Sequence, residues 1–225
     1  MPIDVRGLGL LRVFVAAEDA GDEWNWVHSH NLLNAPSWQG RHIEGNLGEY
    51  LRGISEAWAW LAAQGLVAVR PDQSSGDAYF VTARGRALVS DSDPLGRFHA
   101  EERLGVDLHP RLEARVRAQF LLGEVELAAF AAMREVEIRV RELSGASEST
   151  IGVKLIRDAF GGGGPLRQAG RDSGEQDAVM NLYAGAIGLF KNPSSHREVD
   201  YSDPLVAAEI VLLADLLMRL LDQYP

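Results

Sequence analysis

One hexapeptide gathers the residue types that acid–base work on a phosphodiester needs. Lys191-Asn192-Pro193-Ser194-Ser195-His196 puts a cation, an amide and an imidazole into one short bend. An imidazole ionises near pH ~6.5, so His196 can take or give a proton at neutral pH. A neighbouring ammonium and amide can hold phosphate oxygens while charge develops on them. A plainer reading needs no chemistry. Asn-Pro starts turns, serines bond backbone donors, and the histidine is then incidental. Spacing by itself favours the turn.

Other reactive signatures are missing. With no cysteine, the chain has no thiol nucleophile, thiolate metal cage or disulfide framework. There is no Gly-x-Ser-x-Gly elbow. Gly161-Gly162-Gly163-Gly164 runs into Pro165 without the lysine and hydroxyl of a phosphate loop, and reads as a flexible linker. His28-Ser29-His30 could begin a metal site, but no third ligand is evident, so it reads as loop polarity. The carboxylates are not clustered as a two-metal site requires. His109, beside Pro110 at a helix start, reads as a capping or structural residue. No cofactor and no metal are expected.

The elements that carry the bend fall into two regions of different texture. Residues 1–100 hold all five tryptophans, and the breaker-rich stretch Ser90 to Gly96 separates them from residues 101–225. In the first region Leu47, Leu51, Ile54, Trp58 and Leu61 predict an amphipathic helix closed by Gly65. Leu66–Arg70 and Ala78–Thr82, around a turn-rich loop, predict a hairpin. Helix, hairpin, then Thr82 to Leu88 resembles a winged-helix module with Ser74–Asp77 at its wing tip. Such modules bind DNA or contact proteins. The helix in the recognition position carries Glu49, Arg52 and Glu56, and only Arg70, Arg84 and Arg86 make the wing basic.

The second region predicts a mainly α architecture, an antiparallel helical bundle. Pro110 opens a helix marked by Leu112, Val116 and Phe120. A helix over 124–143 sets Ala129, Met133, Val136, Val140 and Leu143 along a seam. Its pairs Glu135 with Arg139 and Glu137 with Arg141 predict a solvated face. Helices over 148–160 and 174–190 come next, the latter leading into Lys191. The last helix starts at Asp203 and Pro204 and continues to about Asp222. Glu209, Asp215 and Arg219 argue against a membrane span there. Its wide apolar arc predicts a contact with a second protomer or with the N-terminal region.

From Leu108 to Asp222 the chain resembles a Ymh-type family of bacterial proteins of unknown function. The resemblance rests on an ordered series: Leu108-His109-Pro110, Gly123 to Ala128, Gly152 to Ile156 with Ala159-Phe160, Leu182 to Ala186, Lys191 to His196, and Leu217 to Asp222. That family in turn resembles the HEPN superfamily of small helical domains, many of them metal-independent ribonucleases of toxin and defence systems. The superfamily places an arginine, a polar residue and, a few residues on, a histidine at a dimer interface. The resemblance assigns the polar position to Asn192 and the histidine to His196. Lys191 stands where arginine is usual and lacks its planar fork for phosphate. Glu198 replaces the tyrosine that marks nucleotidyltransferase-paired members.

The resemblance implies a homodimer that cleaves RNA without a metal, using Lys191, Asn192 and His196; cytoplasm is the default expectation, because the N-terminal apolar stretch from Gly7 to Ala17 is broken by Arg12 and does not read as a secretory signal. The N-terminal domain, residues 1–100, would control it or dock a protein or DNA. The rival expectation is a non-catalytic HEPN-like dimer acting as a regulator or binding module. The net charge of −10 argues against broad charge-driven coating of nucleic acid and leaves room only for a local site. Positive charge is almost all arginine, the lysines being Lys154 and Lys191 alone.

Overall fold

A computed structural model describes residues 1–21, 28–34, 46–74, 76–105, 107–168, 170–191 and 201–224. Asn192 and the Pro193-Ser194-Ser195-His196 stretch with Glu198 lie outside the described residues, as do Trp24, Trp26 and Trp38. The described residues are mainly helical, with eleven α-helices and one two-stranded sheet. They divide into two compact units, Met1–Phe98 and His99–Pro225.

In the first unit, α1 (Ile3–Asp19) packs on α3 (Leu47–Ala63), and the short α2 (Ser29–Leu33) lies between them in sequence. The sequence pattern does not predict α1, because two glycines and two arginines interrupt its apolar run. It forms because Leu8, Leu11 and Phe14 bury against Trp58 and Leu61. Gly7 is needed there, since a Cβ would stand 2.3 Å from the Trp60 ring. Trp58 is wedged edge-on between Phe14 and Tyr79, with ring centroids 4.7 and 5.0 Å away.

β1 (Val67–Val69) and β2 (Tyr79–Val81) form the expected hairpin, antiparallel with Val67 opposite Val81. An isolated antiparallel bridge joins His28 to Ala78 ahead of α2. Thr82 caps α4 (Ala83–Val89), its hydroxyl accepting from the Gly85 N–H at 3.1 Å. Glu18 ties α1 to both neighbours, accepting from the Val81 N–H at 2.7 Å and pairing with Arg86 of α4.

α5 (Pro94–Arg103) contains the division between the units. The second unit is built on α8 (Val125–Ser144) and α11 (Pro204–Leu221), which lie against each other through small residues. Ala128, Ala129 and Ala132 of α8, with Ala207, Ala208 and Ala214 of α11, let the backbones approach; Met133, Val136, Val140, Val211 and Leu217 fill the seam. Pro204 opens α11, and the Asp203 carboxylate accepts from the Leu205 N–H at 2.9 Å. Leu112, Val116 and Phe120 are all fully buried, but Val116 breaks their expected helix into α6 (Pro110–Arg115) and α7 (Arg117–Leu121). No helix among the described residues is long and apolar enough to cross a membrane.

The glycine run after α9 (Gly152–Phe160) is a fixed turn, not the flexible linker its composition suggests. A Cβ on Gly161 or Gly164 would meet the Arg157 or Ala159 carbonyl at 2.3 or 2.4 Å. Those carbonyls accept backbone N–H groups from Gly161 and from Leu166 at 2.9 Å each, which closes the helix. Leu166 is thereby drawn into the core beside Phe160.

Tyr183 of α10 (Ser173–Ala186) is the largest fully buried side chain. It stacks on Phe160 at 5.0 Å and donates to the Leu217 carbonyl at 2.8 Å, linking three helices. Burial pushes its phenol pKa above the usual value. The folded state therefore keeps the proton above pH ~10, where the unfolded chain releases it, and that contribution to stability falls as pH rises. Tyr183→Phe should cost about 1 kcal/mol at pH 8. In urea unfolding the gap to wild type should shrink between pH ~8 and ~11, because only wild type carries this titration. Parallel curves would contradict it.

Candidate functional site around Lys191

α10 is capped by Asp172, whose carboxylate accepts from the Glu175 N–H at 3.0 Å, and its C-terminal end widens into a π-helical turn, Ile187–Lys191. Such turns add a residue to the helix and re-aim the chain beyond it. Here Ile187 is fully buried and Gly188 comes close to Val153 of α9, so the turn is anchored on that helix. Lys191 ends the turn with its side chain only 13% exposed.

The Lys191 ammonium meets a buried carboxylate. Its Nζ lies 3.3 Å from Glu137 Oε2, and the same oxygen accepts the Gly152 N–H at 3.1 Å. The other oxygen of Glu137 accepts from Arg141 at 2.9 Å. Glu137 is 4% exposed, so each bond replaces water that burial removed. The contact with Gly152 also caps α9 from outside, because Ile151 at the N-cap offers no side-chain acceptor. A carboxylate at that helix start is favoured by the exposed N–H groups and the dipole.

This arrangement corrects the expected solvated face on α8. Glu135 and Glu137 are both buried. Glu137 does pair with Arg141 four residues on, but Glu135 reaches Arg115 of α6 at 2.8 Å, and Arg139 turns to Glu142 and Asp222. The reason is helical geometry. Position 137 lies four residues after Met133 and three before Val140, both fully buried, so its side chain starts at the edge of the seam. That spacing was the available signal.

Beside the pair lies a cavity of about 520 Å³, with Arg134, Arg141 and Lys191 among its walls and Phe130 and Ile138 as apolar surface. Glu142 also borders it, yet its carboxylate bonds Arg111 at 2.7 and 3.0 Å. The Arg111 guanidinium holds it below the usual carboxylate range, and so ionised. With Glu137 and the exposed Glu148 also on it, the wall mixes three cations, three carboxylates and apolar surface; Glu137 and Glu142 are already bonded to basic residues.

His109 caps α6. Its Nδ1 accepts from the Arg111 N–H at 3.3 Å, and Nε2 lies 3.2 Å from Asp222. Both ring nitrogens are therefore engaged. His28 lies in the bridge to Ala78, and no group of three or more His, Asp or Glu placed to hold a metal occurs among the described residues. In the first unit the basic residues expected to face DNA are tied to the protein itself. Arg70 pairs with Asp72, Arg84 donates to the Gln64 carbonyl, and Arg86 pairs with Glu18 and Asp19.

A family model described as "Protein of unknown function (Hypoth_ymh)" matches residues 106–221. The chain belongs to this Hypoth_ymh family. The matched segment runs from before α6 to the end of α11, and so takes in Glu137, the π-helical turn and the Lys191-to-His196 stretch. No curated protein and no solved structure matches the chain.

Replacing Glu137 alone leaves two cations and a helix N-terminus without their acceptor. Glu137→Leu should lower unfolding free energy by about 3 kcal/mol. Glu148→Leu, on the exposed rim, should change it by no more than about 0.5 kcal/mol. Equal stability of the two variants in urea would contradict the arrangement.

Proposed function

We propose that the protein is a metal-independent endoribonuclease of the HEPN type that acts as a homodimer and serves as a toxin or defence effector in the cytoplasm. The observation that supports this is the setting of Lys191: a cation on the wall of a cavity that it shares with Arg134 and Arg141, at the last residue before Asn192 and five before His196.

In this reading His196 takes the proton of a ribose 2′-hydroxyl. The 2′-oxygen attacks phosphorus, the bond from phosphorus to the 5′-oxygen breaks, and the partner's His196 protonates the leaving oxygen. Lys191 and Asn192 stabilise the charge on the phosphorane. The products are a 2′,3′-cyclic phosphate and a free 5′-hydroxyl. DNA, with no 2′-hydroxyl, is not cleaved.

A second reading, a non-catalytic dimer that regulates or binds, is favoured by one observation. Lys191 is already paired with Glu137, which lowers the charge it can offer to phosphate. The first unit has the order helix, bridge, helix, helix, hairpin, which is that of a winged helix and suits docking of a partner. The engaged Arg84 and Arg86 favour a protein over DNA in that role.

The test is incubation of the full chain with end-labelled RNA in EDTA, alongside His196→Ala. Cyclic-phosphate ends from wild type, falling at least ~100-fold in the variant, are the expected result. Cleavage that survives in a folded His196→Ala protein, or none by wild type, contradicts the proposal.

A further inference from the structure

α8 offers the cavity a stripe that the proposed cleavage chemistry does not use. Phe130, Arg134, Ile138 and Arg141 succeed one another at spacings of four, four and three residues, which stacks them along one face of the helix. At 1.5 Å per residue the stripe is about 16 Å long, room for several nucleotides of a single strand.

Its cations are not equivalent. Arg141 and Lys191 share Glu137, and Glu142 is taken up by Arg111 and Arg139. Arg134 is exposed, and its guanidinium has no hydrogen bond or ion pair among the described residues. One turn away on the same stripe is Phe130, half-buried and on the cavity wall. An open guanidinium next to an aromatic ring in a concave wall is the pairing that single strands use, phosphate on the cation and base on the ring. An acidic peptide would use Arg134 but gains nothing from a ring at that spacing. In a chain with a net charge of −10, a strand must be held by such a local site, because the overall field repels it.

We infer that this stripe is the strand-binding subsite: Arg134 holds a backbone phosphate, and Phe130 stacks the adjoining base, laying single-stranded RNA along α8 toward Lys191. The inference rests on the ribonuclease reading of Lys191 for its direction and its substrate class. Arg134 and Phe130 bind; neither touches the reacting atoms.

The experiment measures binding without cleavage. A fluorescent 2′-O-methyl RNA strand of about 12 nucleotides, which lacks the attacking hydroxyl, is titrated with the full chain by anisotropy at several salt concentrations. Arg134→Gln should weaken binding about five- to tenfold at low salt and reduce the salt slope by about 0.7, the loss of one phosphate contact. Phe130→Leu keeps an apolar side chain in place but removes the ring face, and should weaken binding about fivefold or more at unchanged slope. Circular dichroism checks that both variants fold.

Strand binding that depends on both residues supports the subsite even if wild type cleaves nothing, in which case only the nuclease reading falls. Two results overturn the subsite. In one, both folded variants bind as wild type does, even if wild type cleaves RNA. In the other, an acidic peptide binds through Arg134 while the strand does not bind at all.

Discussion

The second unit depends on where one carboxylate can find its hydrogen bonds. Glu137 starts at the edge of the α8 seam and is removed from water by packing, so its oxygens must find their donors inside the protein. The three it finds come from three different elements: Arg141 on its own helix, the first N–H of α9, and the ammonium that ends the π-helical turn after α10. Apolar residues in place of the whole cluster, its cations included, could pack the seam about as well. What the carboxylate adds is direction, because it fixes the start of α9 and the end of α10 on a common point.

The same constraint shapes the chemistry available. Lys191 is held at the cavity wall by a turn anchored through buried Ile187 and by Glu137, which suits a group that must meet a phosphate in a defined place. An ammonium carries three donors, and Glu137 Oε2 is near enough to take one. Its charge is nonetheless shared, unlike that of Arg134 on the open stripe. The site thus has one cation fixed and partly neutralised, and another that is exposed and has no ion pair among the described residues; the proposed reading gives the transition state to the first and the strand to the second.

The sequence made much of this frame legible where local chemistry decides. Pro110 and the Asp203-Pro204 pair set helix starts through fixed backbone angles and caps, and the capping role of His109 could be read from its neighbour. The ordered motifs from Leu108 to Asp222 marked the segment that the family match covers. Long-range effects were not legible. α1 forms only because Trp58 and Leu61 meet it, against its poor helix-forming composition. Glu135 and Glu137 read as surface pairs because an acid four residues before a base usually is one; only its place between Met133 and Val140 marked Glu137 as buried. The glycine run read as loose because composition says nothing of the carbonyls pressed against Gly161 and Gly164.

The most direct measurement is a double-mutant cycle between Glu137 and Lys191, made with Glu137→Gln and Lys191→Met and read by urea unfolding of the full chain. A buried pair that fixes the turn predicts a coupling of about 1–3 kcal/mol between the two sites. Additive effects, within about 0.5 kcal/mol, would contradict it and leave Lys191 positioned by something other than this carboxylate.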